Sequence, residues 1–230
     1  MTANSLAFSA AQVPEWCLRR PKPALQAVYD FVAAPLRMAM LPDAVNERLH
    51  LTSLRGERFA AVLPELRGRV LDIGAGDNAL LRLYREHALR CGQSAEDAAT
   101  SVGVDVEDWG GGCQIIEDAA NLPYPDASFD TVTLIACINH ITNRDEVIRE
   151  ARRLLRPGGR VVVTMINRFL GTIGHAIWWY SEDKHRHVEE EELMGMDRAE
   201  VVDLLMSNGF SKVDVTGFAY GMNRVYVAQN

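Results

Sequence analysis

Short apolar runs alternate with amphipathic stretches along most of this 230-residue chain. Val70, Leu71 and Ile73 form a strand suited to burial on both faces, which breaks at Gly74-Ala75-Gly76, where the missing side chains permit a sharp turn. Asn78 stands as the N-cap of a helix carrying Ala79, Leu80, Leu81, Leu83 and Tyr84. Ser101 to Asp105 predicts a second strand ending in an acid, Ile115-Ile116 a third and Thr131 to Ala136 a fourth. An amphipathic helix over Arg144 to Leu155, a Pro157-Gly158-Gly159 turn and a fifth strand over Arg160 to Met165 follow. Asp197 caps a helix through Val201, Val202, Leu204 and Leu205 to Gly209. Two final strands, around Val213 to Thr216 and Val225 to Ala228, are close enough to pair antiparallel. Strands alternating with helices predict an α/β fold with a doubly wound, mostly parallel sheet, whose ligands bind beyond the carboxyl ends of its strands.

Upstream the periodicity is weaker. Residues 1–20 read as an arm, and Pro23 to His50 as short helices interrupted at Pro35 and Pro42, either a packing appendage or a lid. Thr52 looks like the next N-cap. The chain therefore divides into an N-terminal arm and helical appendage over 1–50 and one main domain over 51–230.

Composition narrows the partners. A net charge of -7 without a basic stripe argues against nucleic acid and for a small-molecule partner. No apolar run is long enough for a membrane span, and residues 1–14 lack the pattern of a secretory signal, so a cytoplasmic location is expected. Cys17, Cys91, Cys113 and Cys137 have neither zinc-ligand spacing nor the look of a disulfide framework. His185-Arg186-His187 beside Glu189 to Glu192 lacks a convincing metal geometry and reads as a solvated charged face, so no metal is expected.

Four features in order carry a family resemblance: Val70 to Gly76, the strand-two acid Asp105, the stretch Asp118 to Asp130, and Leu154 to Arg160 around Pro157-Gly158-Gly159. From about Thr52 to Asn230 the chain resembles the class I S-adenosylmethionine-dependent methyltransferases, of the small-molecule type allied to ubiquinone and menaquinone biosynthesis. The resemblance implies a seven-stranded Rossmann-like sheet and S-adenosyl-L-methionine as cofactor. It places Gly74 and Gly76 at the amino-acid part of the cofactor with Asp72 and Ala136 nearby, Asp105 on the ribose hydroxyls, and Asp118 with the Ala119 backbone at the adenine. One carboxylate with two oxygens suits two hydroxyls. The chain departs from the family between Asp105 and Asp118, where too few residues remain for the usual helix. Trp109 in this short link either stacks on the base or fills the space that the helix leaves.

Methyl transfer to a hydroxyl requires alignment and removal of a proton. His140, just after strand four, resembles the histidine of many small-molecule O-methyltransferases, and imidazole titrates in the range a general base needs. Asn167, just beyond strand five, stands where such enzymes hold an orienting carboxylate; an amide there can orient His140 but stabilises its cation less well. Between Phe169 and Tyr180 the apolar and aromatic residues, Trp178 and Tyr180 among them, form an acceptor-binding segment or a buried helix. His185 and Arg186 are candidates for a polar or anionic acceptor.

Two other functions fit parts of the pattern. An NAD(P)-dependent oxidoreductase is suggested by the glycine turn and by Tyr180 with Lys184, but Asp105 follows Gly76 by 29 positions, where a dinucleotide fingerprint expects about 20. A non-catalytic S-adenosylmethionine-binding protein of the same fold is the other. Sequence leaves the acceptor and the oligomeric state open.

Overall fold

Each apolar run becomes a strand of one sheet. The computed structural model describes residues 21–39, 41, 43–168, 193 and 195–230. Its strands are β1 (Val70–Ile73), β2 (Val102–Asp105), β3 (Gln114–Ile115), β4 (Phe129–Ile135), β5 (Leu155–Ile166), β6 (Ser211–Phe218) and β7 (Asn223–Gln229). They lie in the order β3-β2-β1-β4-β5-β7-β6. β1 sits between β2 and β4, parallel to both, and β7 inserts antiparallel between β5 and β6.

The pleat sends alternate side chains to opposite faces. Leu71, Ile73, Val132 and Leu134 join a buried cluster with Val147, Ile148, Ala151 and Leu154 of α7 (Arg144–Leu154) and Val201 and Leu205 of α8 (Arg198–Ser207). Val70 and Val162 join a second cluster with α4 (Leu54–Val62) and α5 (Ala79–His87), through Phe59, Val62, Leu80, Leu81 and Tyr84. Each fully buried Leu, Ile or Val contributes about 1.5–3 kcal/mol. Asp72 and Thr133 share the second face, which puts two polar side chains inside an apolar sheet and opens the site described below.

Three local expectations are corrected. The N-cap of α4 is Ser53, whose Oγ accepts from the Gly56 N–H at 3.0 Å, and not Thr52. Thr52 is drawn inward by Asp30, whose carboxylate accepts from the Thr52 N–H at 2.9 Å and from its hydroxyl. Asn78 stands before α5 but makes no side-chain cap; it adopts φ +58, and the Ala79 N–H goes to Asp77 Oδ1 at 3.2 Å. Pro157-Gly158-Gly159 lies within β5, which begins directly after α7. The register steps from Phe129↔Leu155 to Thr131↔Arg160, so residues 156–159 bulge out, and Gly158 takes φ +78.

A short α6 (Ala95–Ala99) leads from α5 into β2, and the appendage consists of α1 (Ala24–Val32), α2 (Ala34–Ala39) and α3 (Asp43–Arg48). Buried Arg37 fastens it to the main domain: its guanidinium donates to the carbonyls of Asp30 (2.8 Å) and Thr52 (2.6 Å) and to the Tyr220 hydroxyl (2.7 Å), and lies 3.1 Å from Glu57. Lys22 pairs with Asp30 at 2.8 Å and also with Glu57. No helix among the described residues is long and apolar enough to cross a membrane. The link between β2 and β3 holds no helix, as its length predicts.

Candidate cofactor and active site

The two glycines of the turn after β1 do different things. Both have left-handed backbones, Gly74 at φ +72 and Gly76 at φ +55. A Cβ on Gly74 would stand 2.7 Å from Cys137 Cβ, so its bareness makes room for the β4 turn. A Cβ on Gly76 would meet nothing within 4 Å; this is the glycine that faces open space. Gly103 of β2 is a second close approach, with its Cβ position 2.6 Å from Asn78 Oδ1. That Asn78 oxygen is buried and has no hydrogen-bond partner among the described residues.

Asp72 lies in the floor of the turn, 2% exposed. The sheet register places Thr133 beside it, and the Thr133 hydroxyl donates to Asp72 Oδ1 at 2.6 Å. Removal from water pushes the carboxyl up to about 7, reinforced by the negative charges of Asp105 and Asp77 and opposed by the Thr133 hydrogen bond. The same desolvation, with Asp72 and Asp105 nearby, raises the Cys137 thiol, which donates to the Ile73 carbonyl at 3.1 Å. A pocket that resists additional negative charge on its own groups suits a cationic ligand. Asp77 is balanced by Arg55 of α4 at 2.7 Å and by Arg82.

Asp105 closes β2 and bridges two loops: its Oδ2 accepts from the Gly76 N–H at 2.8 Å and its Oδ1 from the Glu107 N–H at 3.1 Å. A carboxylate offers about four lone-pair sites, so Asp105 has capacity for further donors beside these amides. Asp118 is exposed, with Oδ1 accepting from the Ala120 N–H at 2.8 Å and from the Asn143 amide at 3.2 Å. Ala119 beside it is buried, and Trp109 is half-buried.

Beyond β4, Ala136 takes φ +55, a conformation that a non-glycine residue holds only under local strain, at the carboxyl edge of the sheet. His140 ends the turn Ile138–His140. The Asn139 amide nitrogen lies 3.1 Å from His140 Nε2 and donates to the Leu193 carbonyl at 2.9 Å. The same amide nitrogen lies 3.4 Å from His140 Nδ1, so it stands against the edge of the imidazole ring. Sequence reading did not single out Asn139, although its place next to His140 was a usable signal, and it also missed Thr133, a lone polar residue level with Asp72. Asn167 sits at the end of β5, its backbone N–H on the Met222 carbonyl and its amide 3.3 Å from Asp197. Trp178, Tyr180, His185 and Arg186 lie outside the described residues. No group of three or more metal-ligating side chains gathers among the described residues.

The strand order, the glycine turn after β1 and the acid closing β2 together define a class I S-adenosylmethionine-dependent methyltransferase. A family model described as a methyltransferase domain matches residues 46–214, and the chain belongs to that family. It is 29% identical over 177 residues to the ubiquinone/menaquinone biosynthesis C-methyltransferase UbiE of Bordetella avium, covering 67% of this chain and 68% of that protein. It is 34% identical over 126 residues to the 27-O-demethylrifamycin SV methyltransferase of Amycolatopsis mediterranei, covering 46% of this chain and 42% of that one. The fold matches the crystal structure of a methyltransferase from Thermotoga maritima with a TM-score of 0.53 and 22% identity, over 75% of this chain and 87% of that one. The oxidoreductase alternative is not favoured: an antiparallel β7 between β5 and β6 departs from the 3-2-1-4-5-6 order of dinucleotide-binding folds. S-adenosylmethionine is the cofactor of the class, and the open space at Gly76, beside the Asp105 carboxylate that accepts from its N–H, fits a positively charged ligand.

Proposed function

We propose that this methyltransferase acts on a hydroxyl of a small-molecule acceptor, with His140 as the general base. The observation that carries the proposal is the position of His140, at the carboxyl edge directly beyond β4, with the Asn139 amide against its ring. Bound S-adenosylmethionine supplies an electrophilic methyl on a sulfonium centre. Around it, Gly76 gives close backbone approach, Asp105 receives the ribose hydroxyls, and Asp118 with the Ala119 backbone holds the adenine. Asp72, Gly74 and Ala136 shape the amino-acid end, and Trp109 borders the adenosine side. His140 takes the acceptor proton as the nucleophile advances in line, and Asn139 holds the ring; Asn167 acts as a second orienting amide at the same edge. Trp178, Tyr180, His185 and Arg186 are proposed to contact the acceptor. The net charge of -7 supports a small molecule over a nucleic acid.

A panel of hydroxylated acceptors, followed by release of S-adenosylhomocysteine, tests the reaction. His140→Ala is expected to lower kcat by about 10²-fold or more with cofactor affinity retained. Near-normal turnover in that variant removes His140 as the base, and silence across the panel favours a binding protein. A second reading is an activated carbon acceptor, favoured by the resemblance to a C-methyltransferase over two-thirds of the chain. NMR of the product distinguishes an O-methyl from a C-methyl group.

A further inference from the structure

The short link from β2 to β3 is tied at both ends to groups of the cofactor site. At one foot the Glu107 N–H donates to Asp105, whose other oxygen accepts from Gly76. At the other foot Gly111 lies against the glycine turn: a Cβ there would stand 2.1 Å from the Asp77 carbonyl oxygen and 2.6 Å from Asp77 Cα. No side chain fits without moving backbone. Between the feet, Asp108 Oδ1 accepts from the Gly110 N–H at 2.8 Å. Gly110 and Gly112, at φ +73 and +71, bend the chain on either side of Gly111, and both have open space at their Cβ positions. Trp109 is two residues from each foot, at the crown of this arch.

We propose that Gly111 is a cofactor-positioning residue: it seats the arch 107–111 on the Asp77 carbonyl and thereby fixes Trp109 at the adenosine side of the pocket. The inference rests on the assignment of Asp105 and the glycine turn to the cofactor. A crossover helix is made rigid by its own hydrogen bonds, whereas an irregular link must be held from outside. Here the outside contacts are the two that the cofactor site itself supplies. Loss of the Gly111 seat leaves the arch held at Glu107 and, beyond its far foot, by the pairing of Gln114 with Val104, and Trp109 between them then samples more positions.

The test uses the full chain and S-adenosylhomocysteine as probe. In Gly111→Ala, calorimetry is expected to give affinity weaker by about tenfold, and stopped-flow dissociation to account for most of that change. KM for S-adenosylmethionine rises by more than kcat falls, a split that a general loss of folding does not produce. Hydrogen exchange of the unaltered protein supplies a second measurement that does not depend on the variant folding: amides 107–112 become protected when S-adenosylhomocysteine binds. Unchanged exchange in those amides, or a Gly111→Ala affinity equal to that of the unaltered chain, overturns the proposal. Failure of the unaltered chain to bind either cofactor form overturns the cofactor-site assignment, and the arch with it.

Discussion

Gly74 and Gly76 belong to one turn, yet alanine at each is expected to do opposite damage. At Gly74, φ +72 makes an L side chain unfavourable by about 1–2 kcal/mol. The new methyl also overlaps Cys137, 2.7 Å from its Cβ and 2.9 Å from its Sγ, and crowding of this kind in a packed interior costs about 1–3 kcal/mol. The total is about 3 kcal/mol, which for a domain of this size lowers Tm by roughly 6–12 °C. At Gly76 the backbone term remains, at φ +55, but the methyl meets nothing within 4 Å. Its expected loss is about 1 kcal/mol, or roughly 2–4 °C. The Gly76 methyl instead projects into the space assigned to the cofactor, and affinity for S-adenosylmethionine should fall by at least about tenfold, or about 1.4 kcal/mol. Thermal denaturation and calorimetry on the same two preparations rank the variants on both scales. The reasoning is refuted by equal losses of Tm, or by a Gly76→Ala protein that binds S-adenosylmethionine with unaltered affinity.

The remaining predictions concern charge. Asp72 is raised in the folded protein to about 7 from its ordinary value of 3.8, so its neutral form supports the fold fully below about pH 4 and that support is lost as pH rises towards 7. Asp72→Asn keeps an acceptor for Thr133 but does not titrate, so between pH 4 and 7 the variant should gain on the unaltered protein by up to about 1.4 kcal/mol per pH unit. Urea unfolding at several pH values measures this, and parallel stability curves contradict it. Arg37→Met should destabilise by about 3–5 kcal/mol, because Glu57 and the carbonyls of Asp30 and Thr52 lose a buried cationic partner. Limited proteolysis should then cut first within residues 21–50, and a variant within 1 kcal/mol of the original removes the clamp.

The sheet was legible in the sequence because its apolar runs are short and bounded by turn residues, and the brevity of the Asp105 to Asp118 interval correctly removed a helix. The cap of α4 was not, since Thr52 and Ser53 are adjacent and both suit an N-cap. Asp30 decides between them by claiming Thr52 from 22 positions away. Asn78 is ambiguous in sequence for a related reason: asparagine is favoured both at N-caps and in the left-handed region, and the turn here requires φ +58.

Within the candidate site the same distinction holds. An acid ending a strand, as Asp105 does, is visible because its position along one element suffices. Gly74 and Gly76 look interchangeable until Cys137, from another strand's end, is brought against one of them. Asp72 is a visible polar break in an apolar strand, but its raised pKa depends on burial and on the neighbouring charges of Asp105 and Asp77. Thr133 opposes that shift, and reaches Asp72 only through the β1–β4 register. Sequence pattern therefore finds groups whose roles follow from their place on one element, and a group whose role is set by a partner from another element emerges only with the fold. The Gly111 seat on Asp77 is of the second kind: spacing alone shows that the link is short, and only the fold brings its middle glycine against the turn after β1.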